Sequence, residues 1–293
     1  MTSPASARLG RIGIWTSALS STAPGDRTQI TEAAAELEAL GYGTIWIGAS
    51  PTLDAVTTVL EATERVTVTT GIISVWSHEA RDLAAWTAET EKRAPGRFVL
   101  GLGVSHDRFT PQYAKPYTKM TGYLDELDTA PEPVPARNRI LAALGPRMLR
   151  LSAERALGAH PYLVTAEHTA RARSLLGPEA LLAPELKVVL DTDLERARAT
   201  AREGLSFYLD LPNYTGNLIR LGFQESDFDH GGSDRLLDSL FALGSVERAT
   251  ARIEEFLAAG ADHVSLQALS PGGQGIAALT PAWRELAGAL RLG

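Results

Sequence analysis

A glycine turn that opens a helix is the stretch of this sequence best suited to binding an anion. Residues 139–143 form a short apolar run of strand length, Gly145 and Pro146 interrupt it, and apolar residues with helical spacing follow. Pro146 suits the first turn of a helix because it has a fixed φ and no N–H. The backbone N–H groups at such a helix start bind phosphate, and Arg147 adds a forked cationic donor. A plain strand-to-helix connection is the alternative interpretation.

His106 is the clearest candidate for proton transfer. It lies just after the run Gly96–Gly103, which is predicted to be a strand, and histidine titrates near neutral pH. The alternative is a loop histidine that bonds the backbone. No pair of histidines has the spacing of metal ligands, and the sequence has no Gly-x-Ser-x-Gly motif. The sequence therefore predicts neither a metal site nor a serine hydrolase.

Strands that alternate with helices must position these residues. Strands are predicted from short apolar runs, with helices between them at intervals typical of parallel βαβ units. The predicted strands are 11–15, 43–48, 66–73, 96–103, 139–143, 159–164, 186–190 and 262–267. Eight strands in 293 residues indicate a (β/α)₈ TIM-like barrel as a single domain over residues 1–293, with an insertion at about 210–243 between strands seven and eight. An open doubly wound sheet is the alternative, but the Gly-x-Gly-x-x-Gly signature after strand one is absent.

A barrel places its chemistry where its strands end. The residues at or just after the ends of strands two to five are Ala49, Ser50, Gly71, Ile72, Ser74, Val104, Ser105, His106, Leu144, Gly145 and Arg147. Two tryptophans, Trp46 and Trp76, lie at or just beyond strands two and three and could wall a planar ring. Packing in the barrel is the alternative for both, and it is favoured for Trp46.

Composition narrows the class of protein. The chain has no cysteine, which excludes disulfides, thiolate metal sites and cysteine nucleophiles. A net charge of −7 argues against nucleic-acid and anionic-membrane partners, which require a basic face. No apolar run approaches membrane-spanning length, and the N-terminal residues show no secretory signal. We expect a soluble cytoplasmic protein.

Five segments in order resemble the luciferase-like flavin and deazaflavin oxidoreductases. They are residues 40–48 (LGYGTIWIG), 70–72 (TGI), 96–106 (GRFVLGLGVSH), 144–155 (LGPRMLRLSAER) and 158–165 (GAHPYLVT). The likeness is strongest to the coenzyme F420-dependent branch from actinobacteria, and it extends over nearly the whole chain. It implies a TIM-like barrel, a cofactor at the C-terminal mouth, a small-molecule substrate and a homodimer.

The resemblance also assigns residues to the cofactor. It implies a non-prolyl cis peptide at Gly71-Ile72 that supports the ring, with further contacts at Ser74, Val104 and Ser105. Contacts on the phosphate side of the cofactor are implied at Leu144, Gly145, Arg147 and Met148. Ala49 and Ser50 stand where family members that act on sugar phosphates or alcohols have Asp-His, and His106 stands where those members have a proton-accepting Glu.

These departures leave the substrate open. The resemblance implies hydride transfer between F420 and a small organic substrate, with His106 handling the proton. An FMN-dependent monooxygenase and a non-catalytic protein that binds flavin or F420 are the alternatives, and the missing Asp-His pair favours the second of these.

Overall fold

A computed structural model describes residues 8–293, without the side chains of Pro24 and Phe109. Its strands belong to one sheet of eleven strands in which every pairing is parallel. The strands are β1 (Ile12–Thr16), β2 (Thr44–Gly48), β3 (Thr67–Gly71), β4 (Ile73–Ser74), β5 (Phe98–Gly103), β6 (Arg139–Ala142), β7 (Gly158–His160), β8 (Leu181–Leu182), β9 (Glu185–Leu190), β10 (Phe241–Gly244) and β11 (Val264–Ala268).

Helices connect most of these strands and surround the sheet. They are α1 (Arg27–Ala39), α2 (Leu53–Glu61), α3 (Ala80–Arg93), α4 (Pro116–Asp128), α5 (Pro146–Arg155), α6 (Ala166–Leu176), α7 (Leu194–Leu209), α8 (Pro212–Arg220), α9 (Asp234–Leu240), α10 (Val246–Ala258) and α11 (Ile276–Leu290). None of the described helices is long and apolar enough to cross a lipid bilayer.

The sheet closes on itself through the segment that contains β8 and β9. On one side of this segment, the N–H of Ala183 donates to the carbonyl of Ala159 (2.9 Å). On the other side, the N–H of Ser265 donates to the carbonyl of Pro184 (3.0 Å). β11 then pairs with β1, so the parallel strands form a barrel with helices outside it. The predicted barrel is confirmed, and the open doubly wound sheet is wrong.

Burial explains why these apolar runs form strands. All five residues of β1 and of β2 are buried, as expected for strands covered by helices on one face and by barrel packing on the other. The helices bury one stripe each. In α1 the buried residues are Ile30, Ala33, Ala34 and Leu37, which have the predicted helical spacing.

Three segments differ from the sequence-based expectations or add to them. The predicted third strand is divided at Gly71-Ile72 into β3 and β4. The predicted sixth strand, 159–164, ends at His160, because Pro161 lacks an N–H and Leu163 has a left-handed backbone (φ 55°). Residues 210–243 contain α8 and α9 and enter β10, which pairs with β9. Their assignment as an insertion stays a prediction.

Candidate active site

A cavity of about 1000 Å³ lies at the carboxyl ends of the barrel strands. It is large enough for a tricyclic ring system together with a small second molecule. Seven of the predicted site residues line it: Ala49, Ser50, Gly71, Ile72, Ser74, Ser105 and His106. The strand ends therefore bring together the residues that sequence reasoning placed there, as expected for a barrel.

The backbone is unusual where it borders this cavity. Ala49 (φ 61°), Ser50 (φ 53°) and Ser105 (φ 57°) have left-handed conformations, which are uncommon for residues other than glycine. Such conformations concentrate at functional sites, where the surrounding structure holds them. The turns after β2 and β5 thus contain the left-handed residues Ala49, Ser50 and Ser105 where they border the cavity.

Glycines at the strand ends make room for the side chains of Trp15 and Ile72, which together are called the platform below. The indole of Trp15 lies against Gly48 and Gly71, where an added Cβ would approach it to 2.3 and 2.4 Å. Trp15 also donates from Nε1 to the carbonyl of Gly71 (3.2 Å). Gly103 makes room for the side chain of Ile72 in the same way (2.7 Å). The Gly71-Ile72 peptide is cis, as the resemblance implies.

His106 stands on the cavity wall beside aromatic rings. Its ring centroid lies 5.5 Å from that of Tyr214, and its side chain hydrogen-bonds Asn213. Burial lowers the pKa of His106 below its ordinary value, against the opposing effects of Asn213 and Asp107. Burial therefore favours the neutral imidazole, which can accept a proton at one ring nitrogen.

The polar end of the cavity contains residues that the sequence analysis missed. The hydroxyls of Tyr162 and Tyr208 are 2.9 Å apart, and Tyr162 also donates to Oε1 of Gln267 (2.7 Å). Beneath them lies a fully buried ion pair, with Nζ of Lys187 2.8 Å from Oε1 of Glu185. Burial lowers the pKa of Lys187, and Glu185 opposes this shift. Two charges in an otherwise apolar strand were the signal in the sequence that could have found this network.

The two tryptophans have different roles. Trp76 lines the cavity and donates from Nε1 to the carbonyl of Val104 (2.8 Å). Trp46 is fully buried in the barrel, stacks on His160 (4.1 Å between centroids) and donates to Nε2 of His263 (3.0 Å). Trp76 therefore walls the cavity, whereas Trp46 is a packing residue.

The predicted phosphate-side residues do not line the cavity. Leu144, Gly145, Arg147 and Met148 are not among the residues that line it, although Ala142 at the end of β6 borders it. Val104, predicted to contact the ring, does not line it either. The carbonyl of Leu144 accepts from Nε2 of His168 (3.0 Å), which fixes the turn. Arg147 is exposed, and its guanidinium lies over the ring of Tyr117 (4.2 Å). The assignment of Leu144, Gly145, Arg147 and Met148 to a phosphate stays a prediction, and so does the ring contact of Val104.

Within residues 8–293, no group of three or more histidine, aspartate or glutamate side chains is arranged to hold a metal ion. The residues that line the cavity offer aromatic rings, hydroxyls and imidazoles, a set suited to binding an organic molecule.

Comparisons with known proteins agree with this fold. Residues 11–126 match the model of the luciferase-like monooxygenase family. A search of curated protein sequences found no significant match.

Solved structures of similar fold include enzymes that use different cofactors. An F420-dependent secondary alcohol dehydrogenase in complex with an F420-acetone adduct has a TM-score of 0.72 at 13% identity, covering 96% of this chain and 98% of its own. The coenzyme F420-dependent tetrahydromethanopterin reductase from Methanopyrus kandleri has a TM-score of 0.69 at 16% identity (94% and 98% covered).

An FMN-containing structure has a comparable similarity. The oxygenating constituent of 3,6-diketocamphane monooxygenase from Pseudomonas putida, in complex with FMN, has a TM-score of 0.69 at 13% identity (94% and 96% covered). At these identities the likeness establishes the fold. The family match adds that residues 11–126, which contain β1 to β5, are similar in sequence to luciferase-like monooxygenases.

Proposed function

We propose that this protein is an F420-dependent oxidoreductase that transfers a hydride between the deazaflavin and a small organic substrate. The observation that carries the proposal is the platform of Trp15 and Ile72 at the strand ends, inside a cavity large enough for a tricyclic ring. When bound, the cofactor supplies the hydride chemistry, and the protein supplies binding, orientation and the exclusion of water.

Each group of cavity residues has a part in this proposal. Gly71, Ile72 and Trp15 support the ring, because all three line the cavity where the strands end. Ser74 and Ser105 bind its polar edge from the ends of β4 and β5. His106 accepts the substrate proton at an imidazole nitrogen, since burial lowers its pKa and favours the neutral form, and it returns that proton when the reaction runs in reverse.

The helix start at α5 is proposed to hold the charged tail of the cofactor, which would leave the cavity past Ala142. Gly145 is the N-cap residue of α5, and an added Cβ there would meet nothing within 4 Å, so the approach to the first-turn N–H groups is open. Arg147 in the first turn supplies a charged donor.

Titration of the purified protein with F420 and, in parallel, with FMN tests the choice of cofactor. We expect F420 to bind at micromolar concentration and FMN to bind more weakly. Binding of FMN alone would instead favour an FMN-dependent monooxygenase, whose fold this chain shares.

The phosphate assignment has its own test. Arg147→Ala should weaken F420 binding by about tenfold, the scale of one charge-assisted hydrogen bond. The matched control is Arg150→Ala, which removes an exposed arginine from the same helix. Equal effects of the two substitutions on F420 affinity would show that Arg147 does not bind the phosphate.

Proton transfer is tested with two matched histidine variants. His106→Asn should lower turnover of reduced F420 with ketones and enones by about 10²- to 10⁴-fold, the usual contribution of general acid–base catalysis. His230→Asn, at an exposed position, should leave turnover unchanged. No turnover by the wild type on any such compound, with F420 still bound, would favour a non-catalytic binding protein.

We also propose that the protein is a cytoplasmic homodimer. Light scattering of the purified protein would test the number of subunits.

A further inference from the structure

The polar end of the cavity rests on a buried lysine whose donors all have partners. Nζ of Lys187 lies 2.8 Å from Oε1 of Glu185 and 3.0 Å from Oε1 of Gln267. It also lies 3.8 Å from the centroid of the Tyr162 ring, so a third N–H faces an aromatic surface. The other carboxylate oxygen of Glu185 accepts from the N–H of Leu163 (3.1 Å), which fixes the backbone next to Tyr162.

This lysine sets the direction of the hydrogen bonds that lead to the cavity. Because Lys187 donates to Gln267, the amide oxygen of Gln267, and not its NH₂, faces the lysine and Tyr162. Tyr162 has a single hydroxyl hydrogen, which it donates to that oxygen (2.7 Å). The 2.9 Å contact between the two tyrosine hydroxyls can then be a hydrogen bond only if Tyr208 is the donor.

The consequence is a tyrosine with no hydrogen left for a ligand. The hydroxyl hydrogen of Tyr208 is committed to Tyr162, whereas its oxygen keeps acceptor capacity. Tyr208 lines the cavity, and burial raises its pKa to about 12, so the phenol stays protonated. The rings of Phe207 and Tyr214 lie beside it, with centroids 5.2 Å away in each case.

We propose that Tyr208 is a specificity-determining residue that selects ligands carrying a hydroxyl or amine donor on a flat, apolar body. The ring surfaces around it favour such a body, and an acceptor-only oxygen disfavours a ligand that turns a carbonyl or ether oxygen towards Tyr208. The reacting carbonyl of a ketone or enone would instead face His106, the residue proposed for proton transfer. This inference rests on the proposed function in one respect, namely that the cavity holds a substrate beside the cofactor.

The test compares two probes of nearly equal shape in cofactor-free protein. 2-Naphthol carries a donor, whereas 2-methoxynaphthalene carries only an acceptor, and calorimetry measures the affinity of each. We expect the wild type to prefer 2-naphthol by about 3- to 10-fold, the range of one neutral hydrogen bond. Tyr208→Phe should abolish the preference. Equal affinities in the wild type, or no binding of either probe at millimolar concentration, would overturn the proposal.

A second variant changes the direction in which the Tyr208 hydroxyl donates its hydrogen bond. In Tyr162→Phe, the hydrogen of Tyr208 has no acceptor and can turn to the ligand, so the ratio of affinities should fall to about 1 or below. The matched control is Tyr214→Phe, which removes a hydroxyl from a neighbouring cavity ring and should keep the wild-type ratio. A wild-type ratio in Tyr162→Phe, or a lost preference in Tyr214→Phe, would contradict the assignment.

The proposed cofactor and the proposed role of Tyr208 can be refuted independently of each other. Titration of the same preparations with F420 reports on the cofactor, and the probes report on Tyr208. A retained 2-naphthol preference without F420 binding would overturn the proposed cofactor alone.

Discussion

Removing the buried lysine should destabilise the protein strongly, since its partner would be left charged and unpaired. Lys187 and Glu185 are each 1% exposed at their side chains. Breaking such a pair from one side costs roughly 3–5 kcal/mol. For a chain of this size each kcal/mol lowers Tm by about 2 °C, so Lys187→Met should lower Tm by roughly 6–10 °C. Urea denaturation and thermal unfolding measure both quantities.

A matched control separates this effect from the loss of any lysine beside an aromatic ring. Lys119 is half-buried and lies 5.3 Å from the ring centroid of Trp76 and 5.5 Å from that of Tyr123. Lys119→Met should cost only about 0.5–1 kcal/mol.

A double variant tests the reasoning about charge. Changing Glu185 to Gln together with Lys187→Met removes both charges, and the new amide can still accept from the N–H of Leu163. Most of the lost stability should return, because no unpaired charge remains. The reasoning is refuted if Lys187→Met costs no more than Lys119→Met, or if the double variant is as unstable as the single one.

Two further predictions concern the barrel interior. Burial lowers the pKa of His160 and of His263 to about 4, from an ordinary value of 6.5, so protonation favours the unfolded chain. The free energy of unfolding should therefore fall as the pH drops from about 6.5 to about 4, by roughly 3 kcal/mol for each histidine, and a flat profile in urea denaturation would contradict this. Gly48→Ala should cost about 1–3 kcal/mol and change tryptophan fluorescence, because the new Cβ meets Trp15 at 2.3 Å. The control Gly122→Ala, in open space within α4, should be neutral or slightly stabilising in the same assays.

Much of the fold could be predicted from the sequence because it follows from local periodicity. The buried stripe of α1 and the apolar run of β2 appear directly in the order of residues. The strand ends then identify Ser74, Ser105 and His106 as residues that line the cavity, since a parallel barrel brings all its carboxyl ends to one face. Local pattern plus one rule of topology was sufficient for this part of the site.

The phosphate-side residues show where local pattern stops being informative. The glycine turn at Gly145 and the helix after it form as predicted. Whether Arg147 faces the cavity depends on the direction of its side chain, and in the structure the guanidinium lies over Tyr117, which is distant in sequence. Periodicity carries no information on such a contact.

The order of residues alone determined that this chain forms a barrel and which loops meet at its mouth, because apolar spacing and parallel connections act locally. Only the tertiary structure decided what lies inside that mouth. Tyr162 lies in the loop after β7, Tyr208 in α7 and Gln267 in β11, yet their hydrogen bonds join them into one polar wall above Lys187. Their chemistry arises from distances between segments far apart in sequence, and packing sets those distances.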